Sequence, residues 1–213
     1  MSHVVLLGDS IFDNAAYVSG GPDVIAQIRA KLGSASRATL LAVDGSVTTD
    51  VKNQLRKLPP DATHLVVSAG GNDALGHTDI LDARSKTTAE TLERLAEIGA
   101  DFERRYAEML NTILAVKKPT AICTIYYPRF PDRTLQRLSV TALTVFNDVI
   151  LRLGFAAGIP ILDLRLICSE DADYANAIEP SSHGGQKIAH AIVGLVNRHD
   201  FTRRRAEIYI DGV

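Results

Sequence analysis

Gly8-Asp9-Ser10 follows directly on the apolar run Val4-Val5-Leu6-Leu7, so a hydroxyl stands where a buried strand gives way to a turn. A serine in that position can attack a carbonyl carbon if a base within hydrogen-bond reach takes its proton and N–H donors hold the oxyanion that develops. The glycine ahead of it lets the backbone bend tightly, and the N–H of Ser10 can itself be one donor. Two more candidate donors follow later apolar runs. Gly45 in "DGSVTTD" has no side chain to block a substrate, and Asn72 in "AGGNDALG" carries a carboxamide that can reach the same oxygen. Taken singly, each of these is an ordinary turn residue. Asp9 and Asp73 are expected to support the site by accepting N–H bonds from loop backbones. Asp9, Asp44, Asp73 and Asp163 all end strands, but no Walker lysine, metal-type Asp-x-Asp or Gly-x-Gly-x-x-Gly accompanies them. Phosphoryl chemistry is therefore not indicated, and neither a metal nor a cofactor is expected.

These residues need a scaffold that gathers strand ends. Short β-branched runs alternate with longer helical patterns, the sequence form of βα units on a parallel sheet. Strands are expected at His3–Leu7, Ala38–Val43, His64–Ser68, Thr120–Tyr126 and Ile159–Asp163. Four of the five are near-continuous apolar runs, as when helices cover both sheet faces. In "PDVIAQIRAKLG", Val24, Ile28 and Leu32 share a helical face, with Pro22 near the first turn and Gly33 past the end. "TDVKNQLRKLPP" repeats the pattern with Val51, Leu55 and Leu58. Leu92, Leu95, Ile98, Phe102, Tyr106, Met109, Ile113 and Val116 are spaced by three and four, which predicts one long helix over about 88–116, bent at Gly99. Further helices are expected over about 134–153 and 185–198. The reading is a single domain over 1–213, a three-layer α/β/α arrangement on a five-stranded parallel sheet. Residues from about 199 form a C-terminal tail with Arg203, Arg204 and Arg205 solvated. Ligands of such sheets bind outside the carboxyl ends of the strands, where Ser10, Gly45 and Asn72 fall. "IYYPRFPD" falls there too, and reads either as a pocket wall or as an ordinary rigid loop.

A chain of 213 residues, 46% of them apolar, can bury a sizeable core in one domain. Its net charge is −2 with both signs interspersed, so no basic field recruits nucleic acid or an anionic membrane. Cys123 and Cys168 lie far apart and read as core thiols in a reducing compartment. "MSHVVLLGDS" lacks a basic n-region, and its apolar run is too short for a signal peptide or a membrane span. A cytoplasmic location without a span is expected. His64, His77, His190 and His199 read as surface or structural residues.

In order and spacing, Gly8-Asp9-Ser10, Gly45 and Gly70-Gly71-Asn72-Asp73 resemble the first three sequence blocks of the SGNH hydrolases, the GDSL-type esterase and lipase superfamily. The order of strands and helices resembles that family's flavodoxin-like fold over essentially the whole chain. The resemblance implies Ser10 as nucleophile and an oxyanion hole made of the Ser10 N–H, the Gly45 N–H and the Asn72 amide. Loop length leaves a slip from Gly45 to Ser46 open. The final block departs from the family's usual Asp-x-x-His-Pro. In "NAIEPSSHGGQKIA", anchoring on Pro180 and Gly184 puts Glu179 where the histidine is usual and Asn176 where the aspartate is usual. His183 stands four residues later. Three alternatives stay open: His183 is the base, Glu179 is the base, or no efficient base exists. If residues 179–183 form a helical turn, side chains four apart share a face and His183 reaches the pocket of Glu179; if they are extended it does not. A carboxylate at its ordinary pKa of about 4.3 accepts a serine proton poorly, which favours His183.

The expected function is hydrolysis of a small-molecule acyl or acetyl ester through a Ser10 acyl-enzyme. The alternative is a catalytically weak or inactive ligand-binding protein on the same scaffold, holding a carboxylate or acylated ligand. A third reading is an anion-binding module that uses the loop after the first strand.

Overall fold

A computed structural model describes residues 2–210. β1 (His3–Gly8) is buried at every residue. α1 (Val24–Lys31) follows, started by the Asp23 side chain on the N–H of Ala26. Next come β2 (Arg37–Leu40), a single 3-10 turn at Thr48–Asp50, α2 (Val51–Leu55), β3 (His64–Ser68) and α3 (Gly71–Leu75). After a second 3-10 turn, Thr78–Leu81, the chain forms α4 (Thr88–Leu114), β4 (Thr120–Cys123), α5 (Arg133–Ala157), β5 (Ile161–Leu162), α6 (Leu164–Ile167), α7 (Ser182–Arg198) and β6 (Ile208–Tyr209). The strands form one sheet in the order β2-β1-β3-β4-β5-β6, and every pair is parallel.

Alternate strand residues feed two cores, because successive side chains of a strand point to opposite faces. Val4, Leu6, Val66 and Cys123 pack with Ile28 of α1 and Ile188, Ile192 and Leu195 of α7. Val5, Leu7, Val67 and Ile122 pack on the other face with Phe102, Tyr106 and Ile113 of α4 and Phe146 and Ile150 of α5. Gly99 of α4 lies where that helix closes on α5, and a Cβ there would run into Val145.

The sheet has six strands rather than five, and the extra one lies in the segment expected to be a tail. β6 adds to β5 through Ile161↔Ile208 and Leu162↔Tyr209. Its two residues carry no long apolar run, so nothing in the local pattern signals a strand. The arginines of this segment are exposed but engaged. Arg204 donates to the carbonyls of Ala157 and Ala156, at 3.0 and 2.7 Å, closing the end of α5, while Arg203 and Arg205 pair with Asp200 and Glu207. His199 is buried, in hydrogen-bond reach of Glu207 and Tyr209.

Other boundaries shift for identifiable reasons. β2 stops at Leu40 because the N–H groups of Leu41 and Ala42 both turn onto the carbonyl of Leu6. β4 stops at Cys123, after which the backbone of Ile125 is held at both its N–H and its carbonyl by the Asn147 side chain. α7 begins at Ser182 rather than near 185, because Ser181 caps it by accepting from the Gly184 N–H. α5 is 25 residues long and contains an 18-residue stretch with a mean hydropathy of 1.5, enough by length and composition to cross a membrane. In this fold its second half is set into the sheet through Phe146, Val149 and Ile150.

Candidate active site

β1 and β3 run in register to their ends, so Gly8 lies beside Ser68. Gly8 has a φ of +123°, and a Cβ there would overlap the Ser68 carbonyl. Only glycine lets the chain leave the sheet this closely. The loop that follows is folded around Asp9. Its N–H donates to Ser68, its carbonyl accepts from Phe12 and Asp13, and its carboxylate accepts from the Ile11 N–H at 3.2 Å. Ser10 is held at the carboxyl end of the sheet, 8% exposed, with an N–H that forms no hydrogen bond among the described residues.

The second and third loops are tied to the first. Gln54 of α2 accepts from the Gly8 N–H and donates to the Gly8 carbonyl, both at 2.8 Å, and also reaches the Ser46 hydroxyl at 3.2 Å. Asp73, in the first turn of α3, accepts from both the N–H and the hydroxyl of Thr48 at 2.9 Å. Asn72 of α3 donates one amide proton to the Ser46 carbonyl at 3.0 Å, which leaves its second for a ligand. Gly45 stands next to the residue that meets Asn72. The Ser46 N–H closes a turn on Val43, leaving Gly45 exposed at the tip with a φ of +77°, outside the cavity beside Ser10. Of the two candidates in this loop, Ser46 is the one that touches Asn72.

Of the two candidate bases, Glu179 is the one that reaches Ser10. The Ser10 hydroxyl donates to Glu179 Oε1 at 3.0 Å, and Oε2 has no partner among the described residues. The backbone carrying Glu179 is pinned at almost every step. The Asn176 carboxamide accepts from the N–H groups of Ile178 and Glu179, Tyr126 donates to the Ile178 carbonyl at 2.6 Å, and Asn14 donates to the Pro180 carbonyl at 3.2 Å. Burial pushes the Glu179 carboxyl up to about 7, against the hydrogen bond from Ser10, with the charge of Asp44 adding to the rise. Complete burial likewise raises Asp9 to about 8, opposed by the Ile11 N–H and reinforced by the charges of Glu179 and Asp73.

His183 goes elsewhere. It sits in the first turn of α7 with its side chain half exposed, its Nε2 3.7 Å from Asp173 Oδ1, and it does not line the cavity. Glu170, Asp173 and His183 bring possible ligand atoms within 4.8 Å of one another. Lys187 Nζ already stands 2.9 Å from Asp173 Oδ1 and supplies the countercharge.

Gln54, Tyr126 and Asn14 position the site without standing out in the sequence. Gln54 left a signal, a polar residue beside Val51 and Leu55 on the inward face of a short helix. The others left none, since the carbonyls they hold, of Ile178 and Pro180, lie far along the chain.

Beside Ser10 opens a largely apolar cavity. Ser10, Asn72 and Glu179 stand in its wall. Further wall comes from Leu75 and Ile80 after β3, Leu95 and Ile98 of α4, and Leu143 and Phe146 of α5. The segment Ile125–Asp132 contributes Ile125, Tyr126, Pro128 and Phe130, so it does form a pocket wall.

The family model described as GDSL-like Lipase/Acylhydrolase family matches residues 6–187. No curated protein matches the chain. Among solved structures, an extracellular lipase from Streptomyces rimosus superposes with a TM-score of 0.62 at 16% identity, covering 87% of this chain and 95% of that one. A phospholipase A1 from Streptomyces albidoflavus NA297 gives 0.63 at 19% identity, covering 87% and 94%. An acetyl xylan esterase from Geobacillus stearothermophilus gives 0.60 at 14% identity, covering 90% and 93%. At these identities the likeness is one of fold.

Proposed function

The chain belongs to the GDSL-like lipase/acylhydrolase family, and on that footing we propose that it is a carboxylic ester hydrolase in which Ser10 is the nucleophile and Glu179 the base. The observation that carries this reading is the 3.0 Å hydrogen bond from the Ser10 hydroxyl to a buried carboxylate whose pKa stands at about 7. A base is most effective when its pKa lies near the working pH, since it must both accept and return the proton. An ordinary glutamate fails that test; a buried one meets it.

The Ser10 oxygen attacks the ester carbonyl as its proton passes to Glu179 Oε1, and the carbonyl oxygen becomes an oxyanion. The N–H of Ser10, unpaired among the described residues, and the second amide proton of Asn72 are donors available to it. Collapse of the tetrahedral adduct breaks the bond to the alcohol oxygen, which takes the proton from Glu179. Water then attacks the acyl-enzyme, gives a proton to Glu179, and the acid leaves as that proton returns to Ser10. No Gly45 N–H enters this scheme. Both cysteines are buried and unpaired, and on that basis we place the enzyme in a reducing cytoplasm; recovery of the active protein from a secreted fraction would argue against that location.

The test is labelling by a fluorophosphonate together with hydrolysis of simple acyl esters. Wild type is expected to label at Ser10, and Ser10→Ala to lose about 10⁴-fold or more in kcat with its fold retained. A native wild-type protein that neither labels nor turns over any acyl ester would instead be a ligand-binding scaffold.

A further inference from the structure

Three carboxyl groups, those of Asp9, Asp73 and Glu179, are buried at the carboxyl end of the sheet, and they are unequally provided for. Asp73 accepts from the N–H and the hydroxyl of Thr48, and Arg105 Nη1 stands 3.6 Å from its Oδ1, so it can carry a full charge. Glu179 accepts only from the Ser10 hydroxyl, and the Asp9 carboxyl only from the Ile11 N–H. No ion pair reaches either of these two among the described residues. Asp9 Oδ2 takes no hydrogen bond among the described residues; it lies beside Gly71, 3.7 Å from where a Cβ of that residue would stand. Asp9, Ser10, Asn72 and Glu179 all line the one cavity. The other titratable groups that feel Asp9 are Tyr106 of α4 and Cys123 of β4, both kept neutral first by burial and then by the charges near them. His77 is on the cavity wall as well.

Two buried carboxyls in one wall, with no cation between them, hold one charge and one proton more cheaply than two charges. The Ser10 hydroxyl donates to Glu179 and draws the charge there, which leaves the proton to Asp9. We propose that Asp9 is a positioning residue for the acid–base step, a neutral acid that lets Glu179 carry the pair's single negative charge beside Ser10, and that loss of the Asp9 proton stops turnover. The role rests on the reading of Ser10 and Glu179 as nucleophile and base. Burial sets the order of the two protons, with Glu179 at about 7 and Asp9 at about 8. As Ser10 attacks, its proton neutralises Glu179 while the carbonyl oxygen becomes negative, so with Asp9 neutral the charge of the site moves without growing. With Asp9 ionised, the oxyanion forms against a second anion in a wall that water and salt screen poorly.

The test is the pH profile of kcat for a simple methyl ester from about pH 6 to about pH 10, with the rate of Ser10→Ala subtracted. Wild type is expected to rise through about 7 and then to fall about tenfold per pH unit above about 8. Asp9→Asn keeps the shape and the neutrality of the acid but has no proton to lose. It should abolish the alkaline fall and leave the rising limb within about half a pH unit of wild type; a merely structural Asp9 would change the level of activity and not the shape of the profile. A rising limb moved down by about one unit or more in Asp9→Asn would mean that Asp9 is already charged at neutral pH, and a wild-type rate level to about pH 10 would mean that its charge does no harm. Either result overturns the role and leaves the hydrolase reading standing. Should Asp9→Asn fold poorly, infrared spectra of wild type give a second measurement: about half of one protonated carboxyl is expected to persist at about pH 8 and to vanish by about pH 10, and its absence at about pH 8 overturns the role. No Ser10-dependent hydrolysis at any pH removes the hydrolase reading itself, and this role with it.

Discussion

Glu179 and His183 are four residues apart and end in opposite surroundings. Glu179 is 5% exposed, with one carboxylate oxygen on the Ser10 hydroxyl; His183 is half exposed and turned toward Asp173. The difference arises in the backbone between them. Asn176, Tyr126 and Asn14 hold residues 178–180 against the carboxyl end of the sheet. Immediately afterwards Ser181 caps α7 and the chain commits to a helix. A close approach of Gly184 to the Asp173 backbone fixes the start of that helix, since a Cβ at 184 would overlap the Asp173 carbonyl. Which of the two side chains meets Ser10 is thus set by where the helix begins. A histidine is intrinsically the better base at neutral pH, but chemistry suited to a role is of no use outside its reach.

Mutation can break this contrast between the two residues. Its strongest test is Glu179→Gln, which keeps the shape and removes the proton acceptor. A loss of about 10² to 10⁴ in kcat is expected, with wild-type kcat/KM rising with pH through about 7 as the carboxylate ionises. The same variant has a thermodynamic signature. The folded-state pKa of Glu179, at about 7, lies above the ordinary glutamate value of 4.5, so folding takes up a proton between the two. Its stabilising contribution is fully present below the lower value and is lost as pH rises through the upper one. Melting temperatures should therefore move in favour of Glu179→Gln, relative to wild type, as pH goes from about 5 to about 8. A constant difference across that range would mean that the carboxyl is not buried as described.

Next in size is Asn72→Ala. Losing an oxyanion donor is expected to lower kcat by about 10² to 10³ with little change in KM, and an effect confined to KM would assign Asn72 to substrate binding. The smallest expected effect is that of His183→Ala. Turnover should stay near wild type, and stability within about 0.5 kcal/mol, as for other surface substitutions. Were that variant inactive and Glu179→Gln active, the roles of the two residues would have to be exchanged.

Much of this arrangement was legible in the chain, for stateable reasons. The core strands announce themselves as buried apolar runs, and a parallel sheet brings their carboxyl ends together, so Ser10 and Asn72 could be placed near each other from the sequence alone. β6 escaped because its pairing depends on His199, Arg204 and Glu207 holding a two-residue segment, a tertiary effect with no local pattern. The preference for His183 came from assigning Glu179 its solution pKa. Burial lifts that value to about 7, and burial is a property of the fold.

Gln54 never faces the cavity, yet it grips both backbone polar groups of Gly8 and the hydroxyl of Ser46, whose carbonyl in turn holds Asn72. Ser10 and Asn72 are spaced by one relay through a helix behind them. For anyone diversifying this protein, positions 8, 46, 54 and 72 form a single heritable block, to be varied together or left alone. Leu95 of α4 and Leu143 of α5 line the cavity outside both that relay and the core, so a library built on them varies the wall without disturbing that spacing.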